Sequence, residues 1–216
     1  THNSIKQVNR AIKRMMEGKR KDPTLINAMN EEGRTPIIAA TIMKKVDIME
    51  VLVAQDCELN LPDANNGMTA LMYAIVLELE YPIIAMLIEA GSDLNTPDAR
   101  HMTPMMMAAS SGNGRVMRLM VARMKHYEPD DQDENGWTAL HHAAYGGDGT
   151  CTKLLLSQGA DKTVKDVRGR RSIDIARHLD HGEVLSHLED LKVCDITLLL
   201  NPLSVSLSSF TITLWP

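Results

Sequence analysis

The sequence predicts an all-α solenoid, a row of stacked helix-turn-helix units carrying short β-hairpin loops. Three observations predict it. A five-residue segment recurs as Gly33-Arg34-Thr35-Pro36-Ile37, Gly67-Met68-Thr69-Ala70-Leu71, His101-Met102-Thr103-Pro104-Met105, Gly136-Trp137-Thr138-Ala139-Leu140 and Gly169-Arg170-Arg171-Ser172-Ile173, its third position stepping by 34, 34, 35 and 33 residues. An alanine follows each segment at the same distance, at Ala40, Ala74, Ala108, Ala143 and Ala176. Aromatic residues make up only 3% of the chain, with one Phe against 15 Met. A core so poor in large rings suits thin aliphatic layers. Blocks of this length cannot bury an apolar face alone, so neighbours must stack.

Taken in order, residues 4–17 read as an amphipathic helix with Ile5, Val8, Ile12 and Met15 on one face and Lys6, Arg10, Lys13 and Arg14 on the other. Residues 24–29 read as a short second helix, and residues 1–30 together as an N-terminal helical cap. Five units follow over residues 31–192, at about 33–66, 67–100, 101–135, 136–168 and 169–192. In each, Thr or Ser before a helix can cap its free N–H groups, and Pro in the first turn loses no hydrogen bond. The alanines let the next layer approach closely. Second helices show apolar residues at helical spacing: Val46, Met49, Leu52 and Val53; Ile83, Ile84, Leu87 and Ile88; Val116, Leu119 and Met120; Leu154, Leu155 and Leu156. Gly91 and Gly159 stand where those helices should stop in a left-handed conformation.

Most segments are preceded by Asp or Asn in a turn, and Gly91-Ser92-Asp93 and Gly159-Ala160-Asp161 close two units. Together these motifs resemble the ankyrin-repeat family, whose unit reads roughly D-x-x-G-x-T-P-L-H-x-A-A, then an apolar helix, then G-A-D. The resemblance spans about residues 31–191.

The chain departs from that pattern in places. Asp56 and Met124 replace the terminating glycine, so those helix ends should differ. His101 replaces the turn glycine, at a cost in strain if its φ is positive. Pro82 fits a first-turn position. Arg171 and Ser172 replace Thr-Pro in the last unit, whose outer helix carries Glu183, His187 and Glu189, as a terminal cap should. Residues 193–216 form a tail expected to be disordered, and from residue 196 on it carries no charge. Asn201, Pro202 and several serines break up its apolar runs, so no membrane span is expected.

A net charge of −5 does not suggest a nucleic-acid binder, and none is expected as partner. Charge is uneven, however: seven Lys or Arg against two acids in the first 30 residues, and five acids from Glu128 to Glu134. The basic N-terminal face could contact calmodulin or an acidic membrane, but capping the first unit is the simpler role. Three widely spaced cysteines, Cys57, Cys151 and Cys194, argue for reduced thiols and an intracellular home, cytoplasmic or nuclear. The chain begins at Thr1, which reads as a fragment of a longer protein or a processed product.

No residues make a case for catalysis, and no cofactor or metal is expected. Asp131-x-Asp133-x-Asn135-Gly136 matches half of a calcium loop, but the twelfth position holds His142 where a bidentate Glu is needed. The segment is expected to form an acidic hairpin. By resemblance His141 braces that hairpin through hydrogen bonds, and neither it nor His142 has a third ligand at useful spacing. Ser110-Ser111-Gly112-Asn113-Gly114 reads as the turn between two helices, since it lacks the lysine of a phosphate loop. Most of Met105, Met106, Met107, Met117, Met120 and Met124 face the core by register, whereas Met68, Met102 and Met43 are expected to be exposed.

The resemblance implies an interaction module, a monomeric adaptor or scaffold that binds an unidentified protein through its concave face and hairpin tips. Variable side chains between turn glycine and capping Thr are Arg34, Met68, Met102, Trp137 and Arg170. Hairpin tips add Glu32, Asn65, Arg100, Asn135 and Arg168, and the ends of inner helices add Met43, Leu77, Ser111 and Tyr145. Trp, Tyr and Arg are enriched at binding hot spots. The expected partner-binding set is therefore Arg34, Met68, Arg100, Met102, Asn135, Trp137, Tyr145, Arg168 and Arg170. Trp137 either contacts a partner or packs on the neighbouring hairpin. The alternative function is the regulatory or targeting region of a larger enzyme or channel.

Overall fold

The computed structural model describes residues 26–189. Within them lie ten helices: α1 (Pro36–Ile42), α2 (Val46–Ala54), α3 (Ala70–Val76), α4 (Tyr81–Glu89), α5 (Pro104–Ser110), α6 (Gly114–Arg123), α7 (Ala139–Gly146), α8 (Gly149–Ser157), α9 (Ser172–His178) and α10 (Gly182–Leu188). Odd-numbered helices stack on one another in one row, α4, α6, α8 and α10 stack in a second, and α2 packs on α1, so the fold is an all-α repeat solenoid. Expectations for residues 4–17, for most of the N-terminal cap and for the uncharged tail lie outside the described residues. Of residues 24–29, Ile26 alone is described as helical.

Local chemistry explains where the inner helices start. The Thr69, Thr103 and Thr138 hydroxyls accept from the backbone N–H groups of Met72, Met106 and His141 at 3.5, 3.3 and 3.4 Å. Pro36 and Pro104 open α1 and α5, and Pro82 sits in the first turn of α4. α1 differs: Thr35 makes no side-chain cap bond. At three caps the N-cap residue's own N–H is satisfied by the side chain three residues on, and the acceptor varies. Met72 Sδ, His141 Nδ1 and Asp174 Oδ2 accept from the N–H of Thr69, Thr138 and Arg171 at 3.4, 3.2 and 2.9 Å. Thioether, imidazole and carboxylate thus fill one structural role.

Each helix pair reverses through one left-handed residue: Lys44, Glu78, Gly112, Gly147 and Asp180. A side chain there costs about 1–2 kcal/mol, which Lys44, Glu78 and Asp180 must bear. Asp56 ends α2 at φ 56°, doing glycine's work, whereas α6 ends in extended backbone at Met124. His101 takes φ 60°, the strained value expected of it.

All five repeat alanines are fully buried. At Gly146, an added Cβ would lie 2.7 Å from the Ser110 carbonyl oxygen, so α7 and α5 touch backbone to backbone. One continuous core runs from Ile26 to Leu188 and is filled by Met49, Met72, Met105, Met106, Met107, Met117 and Met120 among others. Met124 is only partly buried beside it.

The projecting loops turn like hairpins but form no strand among the described residues, which corrects the expected β-hairpins. Each is closed by a short backbone bond, such as Asp133 N–H to Trp137 O at 3.0 Å, before the chain enters its helix. One backbone bond then joins each loop to the one before it: Ala64 to Gly33, Ala99 to Asn66, Glu134 to Arg100, and Val167 to Asn135. A single bond per step is too little for a ladder.

Candidate functional site

An acidic residue anchors each of the last four hairpins. Asp133 Oδ1 accepts from the N–H groups of Asn135 and Trp137 at 2.8 and 2.9 Å, and Asp166 Oδ1 from those of Arg168 and Arg170 at 2.9 and 2.8 Å. Asp98 does the same for Arg100 and Met102. Asp63 reaches Asn66 and Met68, because its hairpin is one residue longer.

The second carboxylate oxygen reaches outward. Asp133 Oδ2 lies 3.0 Å from His142 Nε2. Asp166 Oδ2 accepts from the Trp137 indole at 3.1 Å and from Arg170 Nε at 2.9 Å. Burial pushes the Asp166 carboxyl up, but hydrogen bonds from Arg170, Arg168 and Trp137 outweigh it and hold the group below its ordinary value. Both carboxylates are therefore committed to the chain. Among the described residues, no group of three or more His, Cys, Asp or Glu stands where it could hold a metal ion.

The histidines brace the same hairpins. His141 Nδ1 accepts from Thr138, so its other nitrogen carries the proton and donates to the Arg170 carbonyl at 3.2 Å. His142 is buried against Asp133. Burial lowers the pKa of both rings, against the raising effect of the hydrogen bonds and acids around them.

These braces shape an open cleft of about 760 Å³ between the third, fourth and fifth hairpins and the inner helices. Seven of the nine expected contact residues line it: Arg100, Met102, Asn135, Trp137, Tyr145, Arg168 and Arg170. Trp137 forms its half-buried floor, with ring centroids 5.1 Å from His142 and 5.6 Å from Tyr145 and the Arg170 guanidinium 5.8 Å away. Trp137 thus does pack on its neighbouring hairpin while facing the cleft. Tyr145 is 54% exposed.

Two expected residues stand apart. Arg34 pairs with Glu32 in the first hairpin at 2.7 Å. Met68 is 7% exposed and belongs to the core, which corrects its reading as an exposed contact. Met102 and Met43, also expected to be exposed, are half-buried. Two exposed apolar lining residues were not expected from the sequence: Val167, 73% exposed on a hairpin tip, and Leu179 at the end of α9. Their places relative to Arg168 and to the Leu77 position were the available signal.

Comparison with known proteins agrees with this architecture. The family model described as "Ankyrin repeats (3 copies)" matches residues 2–98 and 80–166. The chain is 28% identical over 175 residues to Inversin from Mus musculus, covering 81% of this chain and 16% of that protein. It is 36% identical over 93 residues to Ankyrin repeat and SAM domain-containing protein 6 from Mus musculus, covering 43% and 10%. It is 28% identical over 111 residues to Tyrosine-protein kinase HTK16 from Hydra vulgaris, covering 51% and 15%. The chain therefore spans about a sixth or less of the length of these curated relatives.

Proposed function

Because this chain belongs to the ankyrin-repeat family, whose repeats are protein–protein interaction modules, we propose that it binds a partner protein in the cleft centred on Trp137 and Tyr145, on the concave face of the array. The observation that carries this reading is the convergence of Arg100, Met102, Trp137, Tyr145, Arg168 and Arg170 on one open surface. Aromatic and arginine side chains dominate binding energy where they are held rigid. Hydrogen bonds to Asp166 already fix Trp137 and Arg170, so docking orders little that is not ordered beforehand. The chain acts here as a monomeric intracellular adaptor, with no chemistry of its own.

A second reading has one observation in its favour. A similar protein is named a tyrosine-protein kinase, and the match covers a small part of it. In that reading the array is the regulatory or targeting region of a longer enzyme, and the full-length transcript decides the matter.

A photo-crosslinking amino acid placed at Tyr145, and separately at exposed Lys153 on α8, tests the binding surface in cells. Proteins captured at position 145 but not at 153, and lost on Arg168→Glu, are the expected result. Capture that is equal at both positions and indifferent to Arg168→Glu would show the surface to be elsewhere.

A further inference from the structure

The cleft is lined by exposed arginines, and every carboxylate in its lining is already engaged by the chain. Asp133 and Asp166, 2% and 0% exposed at the side chain, spend both oxygens on the chain itself. Asp174 is held by Arg171, whose guanidinium and backbone N–H keep its carboxyl below its ordinary value. The cations are differently placed. Arg100 is 61% exposed and only loosely set, 3.8 Å from Asp98. Arg168 is exposed and its side chain makes no hydrogen bond or ion pair among the described residues. Between these arginines lies an apolar floor of Trp137, Tyr145 and Val167.

Resting on the cleft reading above, we propose that the occupant is an extended acidic peptide segment of the partner protein, with two carboxylates bracketing an apolar side chain. The carboxylates meet Arg100 and Arg168, and the apolar residue lies over Trp137 and Tyr145. Arg100 and Arg168 sit two hairpins apart. Stacked helices lie 8–10 Å apart, and an extended chain advances about 3.3 Å per residue. The two acids are therefore spaced about five to six residues apart. Residues 196–216 of this chain carry no charge, so they lack the carboxylates such an occupant needs. Glu134, exposed between the two arginines but outside the lining, opposes the same ligand.

Random dodecapeptides displayed on phage and selected on the whole chain test the proposal. Enriched sequences should carry an acidic pair at that spacing around an apolar residue. A synthetic peptide of the enriched sequence should lose affinity by about 1.5- to 5-fold with Arg100→Ala or Arg168→Ala, as exposed pairs do. It should bind more tightly to Glu134→Gln, and Tyr145→Ala should weaken it. Selection on the Arg100→Glu, Arg168→Glu double variant should enrich lysine in place of the acids; both positions are exposed, and equal circular dichroism melts confirm the variant is folded. Neutral or basic peptides that still depend on Tyr145 would overturn the acidic occupant and leave the cleft standing. Enriched peptides indifferent to Tyr145→Ala would overturn the cleft itself, and failure to enrich any sequence would count against both.

Discussion

The indole N–H of Trp137 donates to the carboxylate of Asp166, 29 residues further along the chain, at 3.1 Å. One acid thereby fastens two successive hairpins, because Asp166 also closes its own loop through the backbone of Arg168 and Arg170.

Asp166→Ala should therefore cost more than a surface change. It leaves two backbone donors, an indole and a guanidinium without their acceptor, a loss of about 3 kcal/mol. Urea unfolding measures the cost. In a Trp215→Phe background the emission reports Trp137 alone, and it should shift to the red as the ring loses its fixed partner.

Acid should weaken the array before it reaches the carboxylate range. Both His141 and His142 have native pKa values below the ordinary 6.5. Their unfolded forms take up a proton first, so the stability they confer is present above about pH 6.5 and falls as pH drops below it. Urea midpoints should decline from pH 7 to pH 5. Replacing both rings with glutamine should flatten that slope, whatever it does to stability at pH 7.

The turn position offers a paired test. His101→Gly removes a strained left-handed side chain that is exposed and should raise stability by about 0.5–1 kcal/mol. Gly136→Ala should lower it by about 2 kcal/mol or more. At that site φ is 73° and a Cβ would stand 2.9 Å from the backbone nitrogen of Val167. Thermal melts of the two variants should move in opposite directions.

Met72→His should stabilise the second unit by about 1 kcal/mol. Sulfur is a weak acceptor for the Thr69 N–H, and the imidazole of His141 performs the same task while also reaching the next hairpin. A rise in the urea midpoint without a change in its slope checks this.

The helices were readable because their signals are local. A capping Thr, a first-turn Pro and a small Ala each act within one turn, and they recur at constant spacing. The cleft was readable only where a residue's place in the hairpin settles its exposure, as at Arg100 and Arg168. Met68 shows the limit. It holds the same place as Trp137, yet its hairpin carries an extra residue between Asp63 and Thr69, and its side chain enters the core. The count from acid to Thr would have revealed that insertion. Tyr145 lies seven residues after Thr138, whereas Met43, Leu77 and Ser111 lie eight after their capping Thr, so its true counterparts are Ile42, Val76, Ser110 and His178. The outward bonds of Asp133 and Asp166 reach His142 in α7 and the indole of the preceding hairpin, relations that no local motif encodes.

Each loop grips its predecessor by one main-chain bond, so disturbance at one end reaches the other only by passing through every link. Such a chain unravels from its margins inward. A lesion near Asp180 should loosen α9 and α10 while Ile37 and Ile38 stay protected from solvent exchange, and the central hairpins that frame Trp137 sit where unravelling arrives last.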